Sequence, residues 1–199
     1  FKPFINKNKE GDIVWIGNWG DNERTEELFE FLINPVKELG LKAKVYGVRY
    51  PDEAIVALHE AGIEYMGWTA NYFVPEIFSK FKLTIHVPRR PYVEKLPGIP
   101  TIRPFEAMAC GIPLISAPWD DVEGLFTKGK DYVMVQNGAE MKQNMQELLQ
   151  NPKKANTLSA QALKTIEARH TCKHRVIQLM EIYDELTLIE QSEIELLTN

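Results

Sequence analysis

The sequence predicts a doubly wound α/β fold, in which a Rossmann-like parallel sheet of about six strands has helices on both faces and extra helices at its C-terminal end. Short apolar runs alternate with helical patterns along most of the 199-residue chain. These runs are apolar throughout, which is typical of parallel strands buried on both faces. The composition, 44% hydrophobic and 26% charged, is that of an ordinary globular protein. We therefore expect a Rossmann-like domain over residues 11–168.

The predicted elements follow one another closely. Six short strands are predicted at residues 13–16, 43–46, 63–66, 83–87, 112–116 and 132–135. The helices predicted between them are one capped by Asp21 or Asn22, one that begins at Pro51, a short one around 76–78, and one over 104–110 that Gly111 ends. Residues 88–98 are predicted to form a long loop that contains prolines and arginines.

Helices alone are predicted after the sheet. They are a helix over 141–149, a helix from Pro152, and a last amphipathic helix with a stripe of Val176, Leu179, Met180, Tyr183 and Leu186. Because a Rossmann-like sheet has its own covering helices, this stripe is either a lid on the same domain or a contact with a second domain. Since the chain begins with Phe1, we interpret residues 1–10 as a linker or the remnant of a preceding domain. Residues 169–199 are then a terminal helix with an acidic tail that packs on that N-terminal domain.

Charge and hydropathy exclude several classes of function. The net charge is −5, so the chain lacks the basic surface that binds nucleic acid. The sequence contains neither an apolar run of the roughly 18 residues that span a bilayer nor a secretory leader. Cys110 and Cys172 are far apart and in no metal or redox spacing, which is typical of a reducing compartment. We expect a cytoplasmic protein without a transmembrane segment and without a nucleic-acid partner.

The loop after the first strand is a candidate ligand site, because open α/β sheets bind ligands beyond the carboxyl ends of their strands. Gly17 and Asn18 open this loop, and Arg24 lies one turn into the following helix. The glycine spacing is GxxG instead of GxGxxG, and Asp52 comes too late to bind a ribose, so NAD is not predicted. The loop is either part of a phosphate site or an ordinary turn, and Arg24 faces either phosphate or solvent.

Two further loops add candidates at the same edge. Gly67 and Trp68 follow the third strand, and Trp68 together with Tyr72 either stacks on a nucleobase or packs at the edge of the sheet. Arg89 lies in the loop after the fourth strand, where its charge suits a diphosphate.

The segment 100–113 carries the strongest signal. Arg103 precedes a proline, so we expect it at the helix boundary, with Pro104 as the first helical residue and Glu106 as the third. Free backbone N–H groups beside Arg103 would bind a diphosphate. Glu106 either accepts hydrogen bonds from the two hydroxyls of a ribose or caps its own helix from the third position.

The remaining polar clusters do not indicate a metal centre or a bound cofactor. His170, Cys172 and His174 lack a fourth ligand, and the pair at 120–121 is not the Asp-any-Asp arrangement of metal-dependent transferases. His86, on a buried strand, is predicted to be a core histidine instead of a base. We expect no metal and no cofactor.

Residues 105–116, Phe-Glu-Ala-Met-Ala-Cys-Gly-Ile-Pro-Leu-Ile-Ser, resemble the donor segment of nucleotide-sugar glycosyltransferases with two Rossmann-like domains, the GT-B type. More narrowly, the chain resembles the C-terminal domain of CgeB-type proteins over about residues 11–187. Arg24, the lead-in 101–106, Gly-Lys-Asp at 129–131 and the histidines of 170–175 occur in the order of that pattern.

This resemblance implies a glycosyltransferase whose donor-binding domain is this chain. It implies that Glu106 binds the donor ribose, that Arg103 and the N–H groups around Pro104 and Phe105 hold the diphosphate, and that an N-terminal domain binds an unknown acceptor. The larger retaining families carry an earlier glutamate at the position of Gly98, so no catalytic residue is assigned. The alternatives are a non-catalytic nucleotide- or sugar-phosphate-binding module and a flavodoxin-like or response-regulator-like interaction domain.

Overall fold

The computed structural model describes residues 1–6, 8–20, 22–96 and 101–198, with side chains described as far as residue 188. Its centre is one sheet of six parallel strands: β1 (Gly11–Ile16), β2 (Ala43–Tyr46), β3 (Ile63–Tyr65), β4 (Phe81–His86), β5 (Leu114–Ser116) and β6 (Val133–Met134). The strand order is β3-β2-β1-β4-β5-β6. The predicted doubly wound fold is thereby confirmed, and this order differs from that of a flavodoxin-like sheet.

A π-helical segment interrupts the helix that follows β1. Helices α1 (Thr25–Leu28) and α2 (Asn34–Leu39) are joined by a π-helix over Phe29–Ile33. The N–H of Asn34 donates to the carbonyl of Phe29, five residues back. Pro35 follows, and its missing N–H and its ring both disfavour regular α-helical bonding at this point.

The remaining helices connect the other strands and complete the chain. They are α3 (Asp52–Glu60), a 3₁₀ turn over Asn71–Phe73, α4 (Val74–Ser79), α5 (Arg90–Glu94), α6 (Ile102–Ala109), α7 (Gly138–Gln150), α8 (Pro152–Arg169) and α9 (Cys172–Thr198). The prediction of an uninterrupted loop over 88–98 is wrong, because α5 lies within it. Pro91 is in the first turn of α5, where a missing N–H removes no hydrogen bond. Of the two predicted caps of the helix after β1, Asp21 lies outside the described residues, as does Gly98. Asn22 is not the cap, because α1 begins at Thr25 and its N-cap is Arg24.

Two apolar layers cover the sheet, one on each face. Helices α1, α2, α3 and α7 bury their apolar faces against one side, where Leu28, Leu58 and Met141 are almost fully buried. Helices α4 and α6 cover the other side of the sheet. Phe78 and Met108 are buried there, in the same apolar cluster as residues from the C-terminal half of α8. The starts of α1 and α6 both lie at the carboxyl edge of the sheet: α1 follows β1, and α6 follows β4 with α5 between them.

The apolar stripe of α9 does not pack on the described part of this domain. Val176, Leu179, Tyr183 and Leu186 are between 58% and 64% exposed. The interpretation of α9 as a lid on its own domain therefore does not describe this structure. Within the described residues, the helices include none that is long and apolar enough to cross a membrane.

Candidate functional site

The loops after β1 and β2 are packed tightly against each other. A side chain at Gly47 would place its Cβ 2.0 Å from the carbonyl oxygen of Gly17, so this close approach requires glycine. That same carbonyl accepts a hydrogen bond of 2.8 Å from the Tyr50 hydroxyl. The side-chain oxygen of Asn18 accepts from the N–H of Val48 at 3.2 Å. In the loop that begins at Gly17, the carbonyl of Gly17 and the side chain of Asn18 are therefore already hydrogen-bonded to other parts of the protein.

Arg24 is partly buried at this edge, and its two terminal nitrogens are bound to backbone carbonyls of the protein itself. One terminal nitrogen donates to the carbonyl of Val87 at 2.9 Å, and the other donates to the carbonyl of Asn18. The guanidinium carbon lies 5.0 Å from the centre of the Trp15 ring, a cation–π contact. Burial and then the charge of Arg89 lower the pKa of Arg24 to about 10. Arg24 links the loop after β1 to the end of β4.

Two neighbouring arginines strengthen the same link. Arg89 donates to the carboxylate of Glu23 at 3.1 Å. Arg90, at the start of α5, donates to the carbonyls of Glu23 and Asn22 and pairs with the carboxylate of Glu27 at 3.2 Å. These bonds hold the segment 87–94 against the start of α1. Arg89 contributes one ion pair, to Glu23, whereas Arg90 combines an ion pair with hydrogen bonds to the backbone.

The helix that carries the central motif begins two residues earlier than predicted. Thr101 is the N-cap of α6 and Ile102 is its first residue, so Arg103 is inside the helix and Pro104 is at its third position. The prediction that Pro104 begins the helix is wrong. Proline fits the third position because the N–H groups of the first turn have no partner within a helix. Glu106 is consequently the fifth helical residue and does not cap the helix.

Glu106 is a buried carboxylate with two side-chain partners. It is 5% exposed, and Arg103 donates to its Oε2 in a close ion pair. The side-chain amide of Asn71 donates to its Oε1 at 3.2 Å. A carboxylate is stable in such a position only when it is paired. Burial lowers the pKa of Arg103, while the adjacent Glu106 raises it. The structure brings these three side chains together at the carboxyl edge.

The loop after β3 presents aromatic rings beside this group. Trp68 is 73% exposed and Tyr72 is 75% exposed, and the ring of Tyr72 lies 4.2 Å from that of Phe73. The carbonyl of Gly67 accepts from the N–H of Gly47 at 2.8 Å, which fixes the start of this loop. Asn71 belongs to the same loop, so its bond to the carboxylate of α6 brings the exposed rings close to the start of that helix.

Phe105 points away from this group. Its ring packs 4.9 Å from the ring of Phe126 and 5.4 Å from that of His170. Burial lowers the pKa of His170, whose Nε2 lies 2.9 Å from the carbonyl oxygen of Leu125. Phe105 therefore anchors α6 to the segment before β6 and to the junction of α8 and α9.

His86 is buried at the end of β4, as predicted for a core histidine. Its Nδ1 lies 2.9 Å from Oγ of Ser116 and its Nε2 lies 2.9 Å from Oγ1 of Thr101. Burial, and then the positive charges of Arg24 and Arg103, lower its pKa to about 3. The imidazole is therefore neutral at ordinary pH.

Two roles were not predicted from the sequence. Asn71 holds the carboxylate of α6, and the hydroxyl of Thr101 bonds to a histidine of the sheet. Both residues lie in candidate segments, and nothing in local spacing indicates that 71 and 106, or 86 and 101, become neighbours. A polar residue between exposed aromatic residues was the available signal for Asn71.

Among the described residues, two cavities lie close to this edge. One, of about 550 Å³, is lined by Trp19, Asn22, Arg49, Tyr50, Pro51 and Glu53. The other lies between α5 and the ends of β4 and β5. Its volume of about 210 Å³ is smaller than that of the usual pocket for a small-molecule ligand. Neither cavity is lined by Arg103 or Glu106, so the two cavities do not enclose that group. Within the described ranges, no three His, Cys, Asp or Glu side chains are grouped so that they could hold a metal ion.

The fold is shared with several solved structures. Sucrose-phosphate synthase from Thermosynechococcus elongatus superposes with a TM-score of 0.72 at 16% identity, covering 90% of this chain and 46% of that protein. HepE from Anabaena in complex with UDP-glucose gives 0.65 at 16% identity, with coverages of 87% and 49%. A TarM structure from S. aureus that contains UDP gives 0.68 at 13% identity, with coverages of 90% and 37%.

At these identities the likeness shows the fold alone, and the chain spans less than half the length of each of these three proteins. The search of curated proteins found no match. The model of the family described as glycosyl transferase-like matches residues 24–181, well over half of the chain, including Arg103, Glu106 and the start of α9. The chain therefore belongs to the glycosyl transferase-like family.

Proposed function

We propose that this chain binds a nucleotide-sugar donor and that the protein to which it belongs transfers the sugar to an acceptor. The observation that carries the proposal is the buried carboxylate of Glu106, paired with Arg103 at the carboxyl edge of the sheet. The family match supports a transferase, and two neighbours of the same fold were solved with UDP-glucose or UDP. Uridine diphosphate is accordingly the first ligand to test.

The contacts of Glu106 suggest how a donor would be held. Two vicinal ribose hydroxyls can replace Arg103 and Asn71 as donors to the two carboxylate oxygens. Arg103, released from this ion pair, would then bind the diphosphate with charge-assisted hydrogen bonds. The exposed rings of Trp68 and Tyr72 would lie against the nucleobase. Arg89 would add charge, while Gly17, Asn18, Gly67 and Arg24 would support the loops around the ligand.

In the transfer step, the bond between the anomeric carbon and the diphosphate oxygen breaks and a bond from that carbon to an acceptor oxygen forms. The acceptor hydroxyl loses its proton, and the nucleoside diphosphate leaves with the electrons of the broken bond. Arg103 would stabilise the negative charge that develops on the leaving diphosphate. We assign no catalytic base to this chain. Since arginine supplies the positive charge, we expect donor binding without a metal or another cofactor.

The exposed stripe of α9 supports the idea of a second domain. Residues 11–168 would be the donor domain, residues 1–10 the linker, and residues 169–199 the helix that packs on an N-terminal domain. That domain would bind the acceptor and close the cleft, since transfer requires both substrates in one geometry. Membership of the narrower CgeB type and a cytoplasmic location are part of this proposal. The free thiols of Cys110 and Cys172 fit the location.

The second candidate function is a nucleotide- or sugar-phosphate-binding module without transferase activity. The observation that favours it is Gly98, which stands where larger related families carry a glutamate. The two candidates share the binding site and differ in turnover.

A ligand panel followed by a transfer assay tests the proposal. Thermal shifts with UDP, GDP, TDP, ADP, NAD and FMN, each with and without EDTA, should show stabilisation by one or more nucleoside diphosphates and no effect of EDTA. Transfer or donor hydrolysis should then require a longer protein that carries the proposed acceptor domain, and it should be absent for residues 1–199 alone. A protein stabilised by NAD or FMN but by no nucleoside diphosphate would contradict donor binding. Binding without turnover by the longer protein would favour the module.

A further inference from the structure

The start of α6 is fixed to the sheet through one buried histidine. His86 is 4% exposed at the end of β4, and it lies beside Ser116 on β5 and Thr101 before α6. These three residues come from three separate parts of the chain. The ring of Trp119 closes the other side of the imidazole, with ring centres 6.1 Å apart and the planes perpendicular.

The hydrogen bonds around His86 favour a proton on Nδ1. Ser116 donates its only hydroxyl proton to the carbonyl of Ala117 at 2.8 Å. Its oxygen must therefore accept from Nδ1–H of His86, which leaves a lone pair on Nε2. That lone pair accepts the hydroxyl proton of Thr101 at 2.9 Å. With the proton on Nε2 the ring nitrogens would also be paired, but Ser116 would then have to give up its hydrogen bond to the carbonyl of Ala117.

Thr101 is the N-cap of α6, but its side chain makes no capping hydrogen bond to that helix. A threonine at this position usually accepts from an N–H of the first turn. Here the hydroxyl proton is used to reach the sheet, so the beginning of α6 is positioned by β4 and β5. Arg103 and Glu106 lie two and five residues further along the same short helix.

We propose that His86 is a positioning residue for donor binding, acting through Thr101 to hold Arg103 and Glu106 at the carboxyl edge. This inference rests on the proposed function, since it assigns a role to residues outside the ligand contacts. An ordinary core histidine would contribute to stability alone. A positioning residue also changes the affinity for the donor nucleotide when its bond to Thr101 is removed.

Matched substitutions separate these two roles. In His86→Gln, the longer amide reaches the former position of Nε2 and can still accept from Thr101, whereas in His86→Asn the shorter amide reaches Ser116 alone. Thr101→Ser keeps the hydroxyl, whereas Thr101→Val removes it. The dissociation constant for UDP is measured by calorimetry far below each unfolding midpoint, so that every variant is folded. Thermal midpoints are recorded in parallel.

His86→Asn and Thr101→Val should each weaken UDP binding about tenfold, as expected when one hydrogen bond that holds the site is lost. His86→Gln and Thr101→Ser should stay close to the unchanged protein. If all four variants bind UDP equally well and differ in thermal midpoint alone, His86 is a structural residue and the inference is wrong. If the unchanged protein does not bind UDP or another nucleoside diphosphate, the proposed function fails and the inference falls with it.

Discussion

Arg24 and Arg103 lie at the same edge of the sheet, and the sequence marks both as contacts for a diphosphate, yet their surroundings differ. Arg24 donates to two backbone carbonyls, those of Asn18 and Val87. Arg103 pairs with a side chain, the carboxylate of Glu106. If Arg24 were removed, the carbonyls of Asn18 and Val87 would lose their hydrogen-bond donor within a packed edge. If Arg103 moved away, ribose hydroxyls could donate to the carboxylate of Glu106 in its place. We therefore assign Arg24 to the stability of the fold, because its partners are backbone carbonyls, and propose Arg103 as the ligand contact, because its partner is a side chain that ribose hydroxyls can engage.

Substituting Arg24 should cause a larger loss of stability than substituting the neighbouring Arg89. Arg24→Ala removes two charge-assisted hydrogen bonds and leaves two carbonyls unpaired, so the free energy of unfolding should fall by about 3 kcal/mol. Urea denaturation followed by circular dichroism measures this change.

Arg89→Ala is the matched control, since it removes the same charge from a partly exposed ion pair with Glu23. Its cost should be below about 1 kcal/mol. If Arg24→Ala were no more costly than Arg89→Ala and abolished UDP binding instead, Arg24 would be a ligand contact and the contrast with Arg103 would disappear.

The network of His86 predicts a dependence of stability on pH. The pKa of His86 is lowered to about 3 in the folded chain, whereas an unfolded histidine titrates near 6.5. The unfolded state therefore binds more protons between these values, so stability is complete above pH 6.5 and is lost as the pH falls towards 3. The contribution of this group has a slope of up to about 1.4 kcal/mol per pH unit.

The difference between the unchanged protein and His86→Gln isolates this contribution, because the other titrating groups are common to both. Urea midpoints are measured for both proteins at a series of pH values. The midpoints of the unchanged protein and of His86→Gln should converge as the pH is lowered from 6.5. Parallel curves would show that burial does not keep His86 neutral in the folded chain.

Substitutions on the exposed stripe of α9 should have the smallest effect on this chain. Leu179→Ser and Tyr183→Ser change residues that are more than 60% exposed, so each should alter the free energy of unfolding by less than about 0.5 kcal/mol. Leu28→Ala, in the buried layer under α1, should cost about 2–5 kcal/mol in the same assay.

In a protein that also carries the proposed second domain, the α9 substitutions should become destabilising, because the stripe would be covered there. Equal and negligible effects in both lengths of protein would contradict the packing of α9 on a second domain.

The sheet was predictable from sequence because buried parallel strands leave continuous apolar runs, and all six predicted strands form. Helix α5 was missed because Pro91 reads as a breaker in a loop rich in proline and arginine. The start of α6 was misplaced for a related reason: the preference of a residue before proline was given more weight than the contacts of Thr101 with the sheet.

Within the site, the sequence indicated Arg103 and Glu106 through their spacing and their position after a strand. It did not indicate that Asn71 would reach Glu106, or that Thr101 would bond to His86, because those pairs are 35 and 15 residues apart. Such contacts arise from the way the crossovers bring loops of different strands to one edge. Local patterns identify the residues of one element, and the topology decides which elements meet.

The central claim is that Glu106 binds the ribose of a nucleotide while Arg103 binds its diphosphate, and one pair of titrations tests it directly. Affinities for UDP and for inorganic diphosphate are measured by calorimetry with the unchanged protein, with Glu106→Gln, and with Glu76→Gln as a control for the same change at a surface ion pair on α4. Glu106→Gln should weaken UDP by about 1–3 kcal/mol, the range for a charge-assisted hydrogen bond, and inorganic diphosphate much less. Glu76→Gln should change neither. Equal losses for UDP and inorganic diphosphate in Glu106→Gln would contradict the ribose role.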